Sequence, residues 1–161
     1  MPQTTRDPAS LPRMRRAPLD VLLVEDNPAD VLYTHVMFEE VDPDLHLHVV
    51  GNGEEALAFL RREGVYGCAP RPALVLLDLN LPRMDGLEVL AHVRADEALR
   101  ELFVVALISS PAEVEMWAAR QTGASDFLPK PVDPAAVRRL LTGGEPSWLE
   151  EQPGERLGAV G

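Results

Sequence analysis

Glu25-Asp26, Asp78 and Lys130 each stand where a short aliphatic run ends. VLLV (21–24) leads into Glu25-Asp26, LVLL (74–77) into Asp78, and DFLP (126–129) into Lys130. Such runs read as buried strands, and a carboxylate at the tip of one is costly unless something pairs with it. If the three tips lie side by side, three carboxylates face one ammonium, and clustered carboxylates resist ionising together. A divalent cation makes up the deficit. The ligands are few and all oxygen, which suits Mg²⁺ with retained waters better than a dedicated Ca²⁺ cage. A metal-bound carboxylate beside a lysine can attack phosphorus and become an aspartyl phosphate, the cations offsetting charge on the phosphoryl oxygens. A purely stabilising ion pair would explain Lys130 and one acid, and would leave the other two unneutralised.

The elements that position these residues are legible as an alternation of two textures. Strands are predicted at VLLVE (21–25), LHLHVV (45–50), ALVLLD (73–78), LFVVALI (102–108) and SDFLP (125–129). Between them lie helical stretches with start signals. Asn27-Pro28 opens the first, Asn52 with Glu55 the second, and Asp85-Gly86 the third. Ser110-Pro111-Ala112-Glu113 opens the fourth as a capping box that Gly123 ends, and Asp133-Pro134 opens the fifth.

Five strands alternating with five helices predict an α/β fold with a doubly wound, five-stranded parallel sheet. The first, third and fourth strands are almost continuously apolar, as central strands are. The second alternates Leu45-His46-Leu47-His48, which marks an edge and favours the order 2-1-3-4-5. In that order the chain reverses between strands 1 and 3, where ligands bind beyond the carboxyl ends.

Bulk properties narrow the class further. The chain has 161 residues and a net charge of −11, with 46% hydrophobic residues. Residues 1–18, with four arginines against Asp7, read as a flexible basic tail, residues 19–142 as one domain, and 143–161 as an acidic tail. A body this acidic repels nucleic acid. No apolar run approaches the length of a membrane span, and the single Cys68, unable to form an internal disulfide, fits a cytoplasmic protein. Cys68 reads as a bland loop residue. The four histidines (35, 46, 48, 92) have no zinc spacing and read as solvated edge or helix positions. Trp148-Leu149 is the apolar spot of the acidic tail.

VLLVEDNPAD, LVLLDLNLPRMDG and DFLPKP resemble the signature of two-component response-regulator receiver domains, a flavodoxin-like fold, over residues 19 to 142. The resemblance implies that Asp78 is the phosphoacceptor and Lys130 its conserved-type lysine. It implies that Asp26, Asp78 and the backbone carbonyl of Asn80 hold Mg²⁺, with Glu25 helping through water, and that Lys130–Pro131 is cis. HLHVVGNGEEALAFLRREG and APRPALVLLDLNLPRMDG look like the stand-alone receivers paired with bacteriophytochrome sensor kinases. The expected function is therefore a single-domain response regulator that takes phosphoryl from a sensor histidine kinase and signals through protein contacts. It would not turn over an external substrate.

The pattern breaks at one place. Receivers usually carry Thr or Ser at the end of the fourth strand, and here that position is Ile108. Ser109 is adjacent, but neighbouring strand side chains face opposite ways, leaving its backbone N–H or a local bulge to serve. Phe127 occupies the aromatic switch position. The expectation is a phosphoacceptor whose conformational response is reduced; the alternative is a switch-impaired binding module or phosphate sink. In the family the output surface is the fourth helix, fifth strand and fifth helix. Met116 and Trp117 on that helix, or the C-terminal tail, suit a homodimer. A haloacid-dehalogenase-type phosphohydrolase needs a second Asp at position 80, where Asn stands. An FMN carrier fits poorly, because Glu25-Asp26-Asn27 follows the first strand and would repel the flavin phosphate.

Overall fold

The computed structural model describes residues 19–110, 112–113 and 123–142. The basic leader, the body of the fourth predicted helix with Met116 and Trp117, and the acidic tail with Trp148 lie outside the described residues. Five strands form one parallel sheet: β1 (Leu19–Val24), β2 (Leu45–Val50), β3 (Leu74–Asp78), β4 (Val104–Ile108) and β5 (Asp126–Pro129). Their order is β2-β1-β3-β4-β5, as the patterning predicted. Four α-helices are described: α1 (Pro28–Val41), α2 (Gly53–Arg61), α3 (Gly86–Ala95) and α4 (Pro134–Leu141), the last being the fifth predicted helix.

The sheet divides the core in two because strand side chains alternate. Leu22, Val24, Val75, Leu77 and Ala106 pack on one face with α2 and α3. Val21, Leu23, Leu74, Leu76, Val105 and Leu107 pack on the other with Phe38 of α1 and Val137 and Leu140 of α4. Every residue of β3 and β4 is buried, whereas β2 is buried only at its ends. That contrast is the central-versus-edge difference read from the sequence.

The helices begin as their caps dictate. Asn27 Oδ1 accepts the N–H groups of Ala29 and Asp30, and Asp85 and Glu88 form a reciprocal capping box on α3. The connector before β3 holds a 3₁₀ turn, Gly64–Tyr66, and an exposed Cys68. One histidine departs from expectation. His48 is half-buried, with Nε2 2.9 Å from Asp20 Oδ1 and its ring 5.5 Å from that of Phe59.

An acidic pocket at the strand tips

The carboxyl ends of β1, β3 and β5 bring the predicted charges together. Glu25 and Asp78 are 3% and 4% exposed. Lys130 Nζ lies 3.1 Å from Glu25 Oε1 and 3.3 Å from Asp78 Oδ2. Asp26 is exposed at the mouth, and one carboxylate oxygen from each of Glu25, Asp26 and Asp78 falls within 4.8 Å of the others. Among the described residues no other group of three or more acids, histidines or cysteines converges in this way.

Local chain geometry fixes these positions. Glu25 N–H extends the β1–β2 ladder by donating to Val50 O, which turns the side chain inward. Its second oxygen accepts the Asn27 N–H at 3.1 Å, so both Glu25 oxygens have protein donors. Asp78 Oδ1 accepts the Asn80 N–H at 3.3 Å, a tight turn that carries the chain out of β3. Gly86 is needed behind that turn. A Cβ there would stand 2.8 Å from Asp78 O, so only glycine lets α3 start so close to the acid's own backbone. Lys130 N–H donates to Ile108 O, which anchors the lysine to the end of β4, and the Lys130–Pro131 bond is cis.

Electrostatics follow from this burial. Burial pushes the Glu25 carboxyl above its ordinary range, the Asp78 charge pushes it further, and the Lys130 and Asn27 donors pull it partway back. Burial alone would lower the Lys130 ammonium, but the Glu25 hydrogen bond and the charges of Asp78 and Glu25 outweigh it, so Lys130 is raised. The ammonium stays charged, and the pocket remains short of positive charge.

Asp30 escaped the sequence reading. It stands in the first turn of α1, and its Oδ2 lies 3.5 Å from Lys130 Nζ. Lys130 therefore faces three carboxylates, Glu25, Asp78 and Asp30, and the deficit is larger by one than the strand tips alone suggest. The only signal was its place four residues after Asp26, on a helix that starts at the pocket. An acid in a first turn reads equally well as a partner for the helix dipole.

The neighbouring strand differs. Ile108 is 5% exposed and ends β4 with hydrocarbon. Ser109 is exposed, and its N–H, the donor expected to face the pocket, is bonded to Glu113 Oε1 at 2.6 Å. The Glu113 carboxylate thus takes the N–H one residue before the Ser110 N–H that the predicted capping box assigns to it. Phe127 is half-buried in β5, opposite Ala106, and packs against both halves of the core.

The donor set fits a divalent cation: three carboxylate oxygens within reach of each other, one acid exposed to retained water, and an uncompensated negative charge. Among the described residues, no helix is long and apolar enough to cross a membrane.

Comparison with known proteins agrees with this chemistry. Response regulator Rcp1 of Synechocystis is 36% identical over 133 residues, covering 83% of this chain and 90% of that protein. The bacteriophytochrome response regulator AtBRR superposes with a TM-score of 0.68 at 39% identity, over 73% of this chain and 86% of that one. The manganese-bound form of Rcp1 gives 0.63 at 35% identity, over 78% and 91%. The response regulator receiver domain matches residues 21–142, a stretch that runs from β1 through α4 and takes in every acid of the pocket together with Lys130, and the chain belongs to that family.

Proposed function

We propose that this chain is a single-domain response regulator that accepts a phosphoryl group on Asp78 from the phosphohistidine of a sensor histidine kinase, in a Mg²⁺-dependent reaction. The observation that carries this reading is a nearly buried carboxylate, Asp78, bridged through Lys130 to Glu25, with Asp26 at the mouth. Glu25, Asp26, Asp78 and the Asn80 carbonyl would hold the Mg²⁺. When bound, the ion offsets charge on the phosphoryl oxygens and on the acids together.

Asp78 needs no general base, because an ionised carboxylate is already a nucleophile. An Oδ–P bond forms as the P–N bond of the phosphohistidine breaks. The electron pair stays on the imidazole nitrogen, which takes a proton from solvent. Lys130, anchored to the end of β4 and facing the acids, meets the phosphoryl charge as it arrives. The chain modifies itself and turns over no external substrate.

The donor enters over α1, whose first turn carries Asp30. Leu32, Tyr33 and Val36 on that helix are 65%, 45% and 42% exposed. They offer an apolar rim beside the charged mouth, suited to a helical face of a kinase. Relatives described as bacteriophytochrome response regulators support pairing with a phytochrome kinase. The phosphorylated phytochrome response regulator RcpA supports the acceptor role. Ile108 bears on the response to phosphorylation, because it lies outside the acid pocket and removes no group from it. Output passes through protein contacts at the face of the fourth predicted helix, β5 and α4, or through the tail, including a homodimer; nucleic acid and membrane play no part.

Phosphotransfer from a bacteriophytochrome kinase, repeated with Asp78→Asn, tests the proposal. Wild type takes up label in a Mg²⁺-dependent form that hydroxylamine releases, and the variant takes up none. Equal labelling of Asp78→Asn would refute it.

A further inference from the structure

One backbone donor at the end of β4 lies on the side of the strand that ends in Asp78 and is already occupied by an anion. Alternate residues of a parallel strand address alternate neighbours. Val75 N–H donates to Phe103 O, and Asp78 lies beside Leu107 in register. By that alternation Val105, Leu107 and Ser109 direct their N–H groups from β4 toward β3. β3 ends at Asp78, and the carbonyl that would continue the ladder, Leu79 O, accepts from Gly86 N–H. The Ser109 N–H therefore stands beyond the ladder, roughly one strand spacing, about 4.8 Å, to the side of the Asp78 strand. It donates to Glu113 Oε1 at 2.6 Å, a short, charge-assisted bond. Glu113 N–H in turn donates to Ser110 O at 3.1 Å.

We propose that Glu113 is a displaceable occupant of the phosphoryl group's own donor. In the unphosphorylated protein the Glu113 carboxylate holds the Ser109 N–H. A phosphoryl group on Asp78 brings an oxygen that takes the same N–H, and the two anions repel, so they exchange rather than share it. Release of Glu113 unlatches the Ser110–Glu113 turn, which gives β4 a way to report phosphorylation where Ile108 supplies no hydroxyl. This inference rests on Asp78 being the phosphoacceptor.

The molecule contains its own control. Glu55 makes the same reach at α2, its Oε1 accepting the Gly51 N–H at 3.1 Å beyond the edge strand β2. That contact starts a helix next to no acceptor. Glu113 differs from it in having Asp78 on the neighbouring strand.

The test is a beryllofluoride titration of the full chain in saturating Mg²⁺, followed by amide NMR, on wild type and on Glu113→Ala, Glu113→Gln, Glu55→Ala and Asp78→Asn. Glu113→Ala binds beryllofluoride roughly three- to tenfold more tightly than wild type, the worth of one hydrogen bond that no longer has to be broken. Glu113→Gln, which keeps the oxygen and drops the charge, falls between them. Glu55→Ala keeps wild-type affinity, Mg²⁺ affinity alone is unchanged in the Glu113 and Glu55 variants, and the Ser109 amide of wild type shifts on binding. Wild-type affinity in Glu113→Ala, or an unmoved Ser109 amide, overturns the inference while leaving the acceptor reading intact. Beryllofluoride binding that survives Asp78→Asn, or is missing from wild type, overturns both.

Discussion

Where β1 and β3 end, two nearly buried carboxylates share one ammonium, with Lys130 Nζ 3.1 and 3.3 Å from Glu25 and Asp78. One strand further along, β4 ends in Ile108, buried as deeply and carrying no polar atom, and its next N–H is held by Glu113. The first region is organised by charge and tolerates no missing partner. The second is organised by packing and by an exchangeable hydrogen bond. Acceptance of phosphate and the response to it are thus built from different interactions.

Removing the ammonium breaks the first region most severely. Lys130→Ala leaves Glu25 and Asp78 buried without their cation, and a broken buried pair costs about 3 kcal/mol. Chemical denaturation in the absence of metal should show that loss at neutral pH. The Glu25 carboxyl, already raised by burial and by the Asp78 charge, would lose the Lys130 partner that lowers it, and a raised acid gives stability at low pH that is lost as pH rises. The deficit should therefore shrink toward pH 4 and also when Mg²⁺ is added. A deficit independent of both would mean that Lys130 acts through packing.

Gly86→Ala attacks the same region sterically. The added Cβ would meet Asp78 O at 2.8 Å and Leu79 Cα at 3.3 Å, both backbone atoms with little freedom to give. Overpacking of this kind costs about 2 kcal/mol. Because Asp78 itself must move, Mg²⁺ affinity measured by calorimetry should fall together with stability. An affinity unchanged in a destabilised protein would separate the turn from the pocket.

How far the sequence reveals each region follows the same division. The strand tips were readable because a charge at the end of a buried run has few explanations, and Glu25, Asp26, Asp78 and Lys130 each interrupt one. Strand order followed from the alternation of a single edge strand. Asp30 was hidden because a first-turn acid serves a helix equally well without a lysine beside it. The His48–Asp20 pair depends on strand register, which places His48 beside Leu22 and so within reach of Asp20 two residues before it. The Glu113 contact was half visible: a capping glutamate was predicted, but which N–H it would take depends on where the β4 ladder runs out.

Ile108→Thr sharpens the second region. A hydroxyl enters a site now filled by hydrocarbon, costing about 1 kcal/mol of stability. In return it offers a side-chain donor at the end of β4. Beryllofluoride should then perturb the amides of β5 around Phe127 more strongly than in wild type, with Asp78 labelling unchanged. Perturbations of equal size in both proteins would show that Ile108 does not limit the response.

Asp126 supplies the smallest effect and the control for the charge argument. It stands at the amino end of β5, half-buried, and its Oδ1 accepts the Phe127 N–H at 2.8 Å, so a backbone dipole answers it where Lys130 answers Asp78. Burial raises its carboxyl above the ordinary 3.8, and the Phe127 N–H lowers it only partly. A raised acid favours the folded state while protonated, so stability should fall as pH climbs from about 3.8 through the raised value. Asp126→Asn keeps an oxygen for the Phe127 N–H and removes the charge. It should gain no more than about 0.5 kcal/mol at pH 7, because a half-exposed carboxylate keeps much of its hydration, and nothing at pH 3.5. Thermal unfolding at the two pH values measures it. An equal gain at both would place the cost of Asp126 in its shape, and the rule that separates the two regions would then have to be sought in packing alone.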